Sequence, residues 1–193
     1  MNFVVDDNFF GDFKLGDNVQ YNLKVLRGLY SAQAQAGDSG RFFRKPITIL
    51  LASIAEALLY DLFWRMKHHT REGVSNVIDD VLVEERERTR DKFKTLIDGA
   101  KKHHLFADEG DGIYDRLDRL REVRNRIHIQ NSNAKLERDE LDVYTEERQK
   151  EAERAVEGVL RQMATKRQRS TNAQGYVGEL ELPWEPYDPS GTM

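Results

Sequence analysis

Between residues 120 and 128 the chain reads Leu-Arg-Glu-Val-Arg-Asn-Arg-Ile-His, and this stretch gathers Arg121, Arg124, Asn125 and His128. A guanidinium stays charged and offers a planar fork of N–H donors that matches two phosphate oxygens at once. An imidazole titrates near neutral pH and can carry a proton in either direction. Together these groups suit an anionic centre whose reaction needs a proton moved. On a helical wheel, His128 falls about 20° from Arg121, and Asn125 about 40° to its other side. Arg124 falls about 60° away, toward an apolar stripe of Ile113, Leu117, Leu120, Val123 and Ile127. The four polar residues then form one strip at the border of an apolar face, where a second helix or a second subunit would partly cover them. Arg116, Arg119 and Arg126 read as ordinary solvated arginines paired with carboxylates one turn away.

The elements that must position this strip are helical. Asp17 reads as the cap of a helix to about residue 36, with Val19, Leu23, Leu26 and Tyr30 at helical spacing. Gly-Asp-Ser-Gly at 37–40 is a stop, and Pro46 suits the first turn of a second helix over 46–68. That helix is apolar almost all round, which predicts a central place in a bundle or half of a dimer interface. It is long enough to span a bilayer only marginally and carries Glu56 and Asp61, so a buried helix is expected, with no membrane partner. Glu56, alone among apolar neighbours, calls for a buried cationic partner, and Arg124 is the candidate. A charged helix over 80–103, a motif helix from about 111 and a fifth helix over 145–166 complete the reading. The expected fold is an all-α bundle of about five helices spanning 1–165. Residues 166–193 hold three of the four prolines and read as an extended or disordered tail, with Trp184 and Tyr187 as surface anchors.

Composition narrows the function classes. The 193 residues carry a net charge of −4 and no cysteine, so disulfide scaffolds and thiolate metal sites are excluded. The N-terminal residues have no basic lead and no long apolar run, which predicts a cytoplasmic protein without a signal peptide. A net acidic chain is not built for stoichiometric nucleic-acid coating, although brief contact with RNA needs only a local cationic patch. His68-His69 and His103-His104 are adjacent pairs that diverge by about 100° on a helix, so no metal site and no cofactor is expected.

An arginine, four to six residues and then a histidine, on a helix of an all-α bundle, resembles the HEPN superfamily (higher eukaryotes and prokaryotes nucleotide-binding). Arg121 fits the spacing to His128, whereas Arg124 carries the neighbouring asparagine, Asn125, that many members show. Which of the two is the functional arginine stays open. Gln130 stands where some toxin members have a tyrosine that a partner enzyme modifies.

The resemblance implies a metal-independent endoribonuclease, a toxin or antiviral growth-arrest effector, acting on an RNA substrate. It implies a homodimer in which two motifs face each other, since one histidine per chain is a thin inventory for acid and base. It also implies an inhibitory protein such as an antitoxin. Two other readings remain open: a helical bundle that binds nucleotide, RNA or a partner protein without cleaving, and a purely structural helical dimer whose strip is sealed by its own carboxylates.

Overall fold

The computed structural model describes residues 3–69, 74, 76–107, 112–127, 136–171 and 177–187. His128 lies outside the described residues, as does Gln130.

Helix α1 spans Phe13–Gln35. It starts one turn before the expected Asp17, because Asp12 supplies the cap: its Oδ1 accepts from Lys14 N and Leu15 N. Gly16 is tolerated inside it because a Cβ there would press 3.2 Å from the Phe10 ring. A 3₁₀ turn over Gly37–Phe43, opened by Gly37 at φ +53°, replaces a simple stop. Helix α2, Arg44–His68, follows. By length and composition it could cross a membrane, but Ile47, Leu51, Leu58, Leu62 and Met66 are fully buried within the bundle. It packs against most of the other helices and forms their common wall.

The expected third helix is broken in two, α3 (Asp79–Arg86) and α4 (Phe93–Lys102). Arg90 is the physical reason. Its guanidinium turns inward to hold the buried Glu85 in two hydrogen bonds, 2.5 and 2.6 Å, and also bonds Thr95 O. A continuous helix could not bring it there. Helix α5 is Ile113–Arg124, continued by a 3₁₀ turn over Asn125–Ile127. A one-turn helix α6, Glu140–Val143, leads to α7, Glu146–Lys166. Thr145 caps α7, and its inner face, Ala152, Ala155, Val156, Val159, Leu160 and Met163, recurs at helical spacing and is all buried.

The C-terminal residues are extended in part but not detached. Two short strands, β1 (Phe3–Asp6) and β2 (Glu179–Leu182), pair antiparallel with Val5 opposite Leu180. Trp184 Nε1 donates to Glu157 at 3.0 Å, and the Tyr187 hydroxyl donates to Glu153 at 2.5 Å. Both glutamates are buried on α7, so Trp184 and Tyr187 do anchor this segment. Glu153 also accepts from Tyr30, and burial beside that carboxylate pushes the Tyr30 hydroxyl far up from its ordinary range. Arg167 and Arg169, just past α7, are buried and donate to the backbone carbonyls of Leu105 and Asn8. The fold is thus a helical bundle with one small sheet that closes its two ends together.

Candidate functional site

The polar strip lies where α5 meets α2 and α4. Arg124 Nη2 donates to Glu56 Oε2 at 2.5 Å, so the partner inferred for Glu56 is the one found. The pair is not buried, however: the side chains are 23% exposed at Glu56 and 35% at Arg124. Glu56 sits on the outer stripe of α2 with Ile49, Ser53, Ala57, Tyr60 and Trp64, none of which is fully buried. Arg124 reaches across to this stripe, and among the described residues it commits only one guanidinium N–H to a protein acceptor.

Arg121 lies flatter than the wheel predicts. Its side chain is only 16% exposed, less than that of Arg124, so the expectation that Arg124 turns coreward and Arg121 outward is reversed. Arg121 Nε donates to Asp118 at 2.8 Å and Nη2 to Glu122 at 3.4 Å. Lys94 on α4 approaches Asp118 at 3.6 Å while bonding Asp98 at 2.8 Å. Partial burial works against ionisation of Asp118, but the Arg121 hydrogen bond and charge, with Lys94, outweigh it and hold the carboxyl below the usual range. The two arginines therefore meet two different carboxylate sets on one flank of α5.

The α-helix ends at Arg124, and Asn125 begins a tighter turn with its backbone N–H bonded to Arg121 O and Val123 O. A 3₁₀ turn advances about 120° per residue rather than 100°, so the wheel does not hold over Asn125–Ile127, and the expected neighbourhood of His128 lies outside the described residues. Asn125 itself is half-buried. The structure thus brings Arg121, Arg124 and Glu56 onto one flank, with Asn125 at the following turn.

Arg126 is not the solvated arginine expected. It is 6% exposed and donates to Arg138 O at 2.9 Å, which ties the segment after the motif to the helix end. Among the described residues, Arg116 and Arg119 pair not with a carboxylate one turn away but across to Glu151 on α7, and only Arg119 is solvated, Arg116 being 15% exposed. They stand on the opposite flank of α5, facing α7, and line an open cavity of about 460 Å³ with Thr48, Leu120, Val123, Leu136, Arg148 and Ala152. Sequence reasoning missed this cavity, since its walls come from three separate helices and the segment at Leu136.

One further cluster escaped local spacing. His103 Nε2 lies 2.8 Å from Glu85 and 3.9 Å from Glu84, and the three residues offer ligand atoms within 4.8 Å of one another. Glu85 is already spanned by Arg90, and Glu84 by Lys102 and Arg88. A metal ion there would have to displace these cations, so the cluster fits as an ion-pair network joining α3 to α4. Burial opposes ionisation of Glu85, but its hydrogen bonds to Arg90 and His103 prevail and hold it below the ordinary carboxylate range.

No family model matches the chain, and neither a curated protein nor a solved structure matches it.

Proposed function

We propose that this protein is a metal-independent endoribonuclease of HEPN type that acts as a homodimer in the cytoplasm, with growth arrest as its cellular outcome. The observation that carries the reading is the half-exposed Arg124–Glu56 pair, placed beside Arg121 in a stretch whose arginine-to-histidine spacing resembles that family. In the proposed reaction the 2′-OH of RNA gives its proton to the imidazole of His128. The 2′-oxygen attacks the adjacent phosphorus and a second group protonates the departing 5′-oxygen. A 2′,3′-cyclic phosphate and a 5′-OH result. The free edge of the Arg124 fork, and of Arg121 once its carboxylates yield, stabilises the charge on the pentacoordinate phosphorus. Glu56 orients Arg124, and Asn125 helps seat the phosphate. No step calls for a Lewis acid, because the nucleophile belongs to the substrate.

The same geometry supports the proposed dimer. The outer stripe of α2 exposes Tyr60 at 44% and carries Glu56 in its middle. Facing two such stripes across a two-fold axis would bring the two motifs together and supply both an acid and a base. An antitoxin-like inhibitor would cover that same surface.

A second reading is favoured by one feature. Each motif arginine already has a carboxylate partner within its own chain. Such pairing is what a purely structural helical dimer would show, but Arg124 keeps 35% of its side chain exposed, so a bundle that binds nucleotide, RNA or a partner protein without cleaving accommodates it as well, by exchange of those partners.

The test is cleavage of RNA by purified wild type and His128→Ala. The expected loss is on the order of 10²–10⁴ in rate, with folding unchanged and with wild-type activity retained in EDTA. A His128→Ala protein that cuts at the wild-type rate would leave the binding reading in place.

A further inference from the structure

The flank of α5 opposite the motif holds a cavity that the proposed reaction does not use. It is about 460 Å³, within the roughly 300–1,000 Å³ span of small-molecule sites. Leu120, Val123, Leu136 and Ala152 give it apolar walls. Thr48 of α2 closes its floor. Thr48 is 1% exposed, and among the described residues its Oγ1 has no hydrogen-bond partner. A buried hydroxyl left unpaired costs on the order of 1–3 kcal/mol. A threonine inside a helix ordinarily avoids that by bonding the carbonyl one turn back. Because nothing holds Oγ1 in its present rotamer, a turn about χ1 toward a ligand donor breaks no bond.

The rim is polar and carries three guanidinium groups. Arg119 is 63% exposed and, among the described residues, tied only to Glu151. Arg116 shares the same carboxylate at 3.6 Å. Arg148 is pinned by Glu137 and by the carbonyls of Asp142 and Val143. Three carboxylates balance them: Glu151, Glu147, which the Thr145 hydroxyl holds, and Glu122, which also meets Arg121 on the motif side.

We infer that this cavity binds a nucleotide, with the base between its apolar walls, an exocyclic amino group directed at Thr48 Oγ1 or Glu147, and the phosphate on Arg119. The chemistry of the lining selects that class. Apolar walls and guanidinium planes accept the face of a flat ring. A carboxylate and an unpaired hydroxyl accept from an exocyclic amino group, which guanine, adenine and cytosine carry and uracil, with its ring N3–H alone, lacks. An exposed guanidinium that shares one carboxylate with Arg116 can exchange it for phosphate. The inference rests on the proposed RNA reading only for the origin of the nucleotide. Val123 lines the cavity while its neighbour Arg124 belongs to the motif flank. The base of a nucleotide next to the cleaved bond could therefore reach it across a helix about 10 Å wide.

The test uses the full chain with four probes: GMP, AMP, CMP and UMP, with ribose 5-phosphate as the base-free control, followed by calorimetric titration. The three amino-bearing nucleotides should bind, UMP more weakly, and ribose 5-phosphate weakest. Thr48→Val should lower GMP affinity about 3–10-fold while leaving the melting temperature unchanged or raised, because it removes the unpaired hydroxyl. Arg119→Ala should weaken all four nucleotides alike. His128→Ala should bind GMP as wild type does, so loss of cleavage and loss of this site are read separately. If the nucleotide comes from an RNA chain, GMP will compete with an RNA oligonucleotide, and Thr48→Val will shift the base preferred at the cut. If the ligand is a free mononucleotide, the oligonucleotide will not compete. Equal binding of GMP and ribose 5-phosphate would overturn the inference. So would unchanged GMP affinity in Thr48→Val, or no saturation by any nucleotide at millimolar concentration.

Discussion

Helix α2 carries two acids five positions apart, and they live in different chemistry. Asp61 is fully buried. Its Oδ1 accepts from Gly11 N and Asp12 N at 2.9 and 3.3 Å, and its Oδ2 from Arg65 Nε at 3.0 Å. Arg65 passes the link on to Arg167 O at 2.8 Å. Burial pushes the Asp61 carboxyl up and the Arg65 guanidinium down, and their mutual attraction pulls both back. Glu56, about 140° around the helix, has one bond to one half-exposed arginine. The first acid is saturated and sealed, stapling the N-terminal segment and the residues after α7 to the core. The second leaves donors of its partner in solvent. Burial separates a pair that holds the fold from one that can still meet a ligand.

The sharpest way to break this comparison is Asp61→Ala. Removing one partner of a sealed pair leaves Arg65 charged and buried, and the expected loss is about 3–5 kcal/mol. Urea unfolding measures it, and a loss below about 1 kcal/mol would mean the site is hydrated, as surface pairs are.

Glu85→Gln comes next, with about 1–3 kcal/mol, since Arg90 and His103 lose the charge they surround. It also has a pH signature. A carboxyl whose folded value is depressed contributes stability that is fully present above its unfolded value of about 4.3. That contribution is lost as pH falls through the lower folded value. Wild type should therefore lose stability across this acid window more steeply than Glu85→Gln, as followed by melting temperature from pH 6 down to pH 2.

Arg126→Ala is expected to cost roughly 1–2 kcal/mol, because the Arg138 carbonyl loses its donor. Thermal unfolding would show it, and a silent variant would place Arg126 with the solvated arginines after all.

The smallest stability effect belongs to Glu56→Ala, about 0.2–1 kcal/mol after screening of a half-exposed pair. RNA cleavage should fall far more than this, because Arg124 loses its orientation. Glu56→Gln, which keeps one acceptor for the guanidinium, should recover part of the activity. A variant that melts several degrees lower yet cleaves normally would invert the comparison and make Glu56 a second structural acid.

Much of the helical layout was legible because burial imposes a period. The inner face of α7 and the all-round apolar character of α2 are one-dimensional signals, and they survive in three dimensions because packing follows them. The Glu56–Arg124 partnership was legible because an acid among apolar residues calls for a cation, but its depth was not, since the pair lies on the half-exposed outer stripe rather than coreward. The break between α3 and α4 was not legible, since it depends on Arg90 folding back onto Glu85 and Thr95, and helical propensity is no guide to such a contact. Arg126 looked like its solvated neighbours because a side chain's type does not reveal which carbonyl the returning chain will present to it.

By itself, the sequence determined the helical class, the central place of α2 and the partnership of Glu56 with Arg124. All of these follow from local spacing or from the cost of leaving a group unpaired. The tertiary structure alone decided how deeply each charge is buried, that Arg124 rather than Arg121 keeps the more exposed fork, and that α5 tightens into a 3₁₀ turn at Asn125. It alone assembled Thr48, Arg119 and Ala152 around one cavity. Burial and saturation are properties of what lies across the interface between elements, and a linear pattern records only one side of that interface.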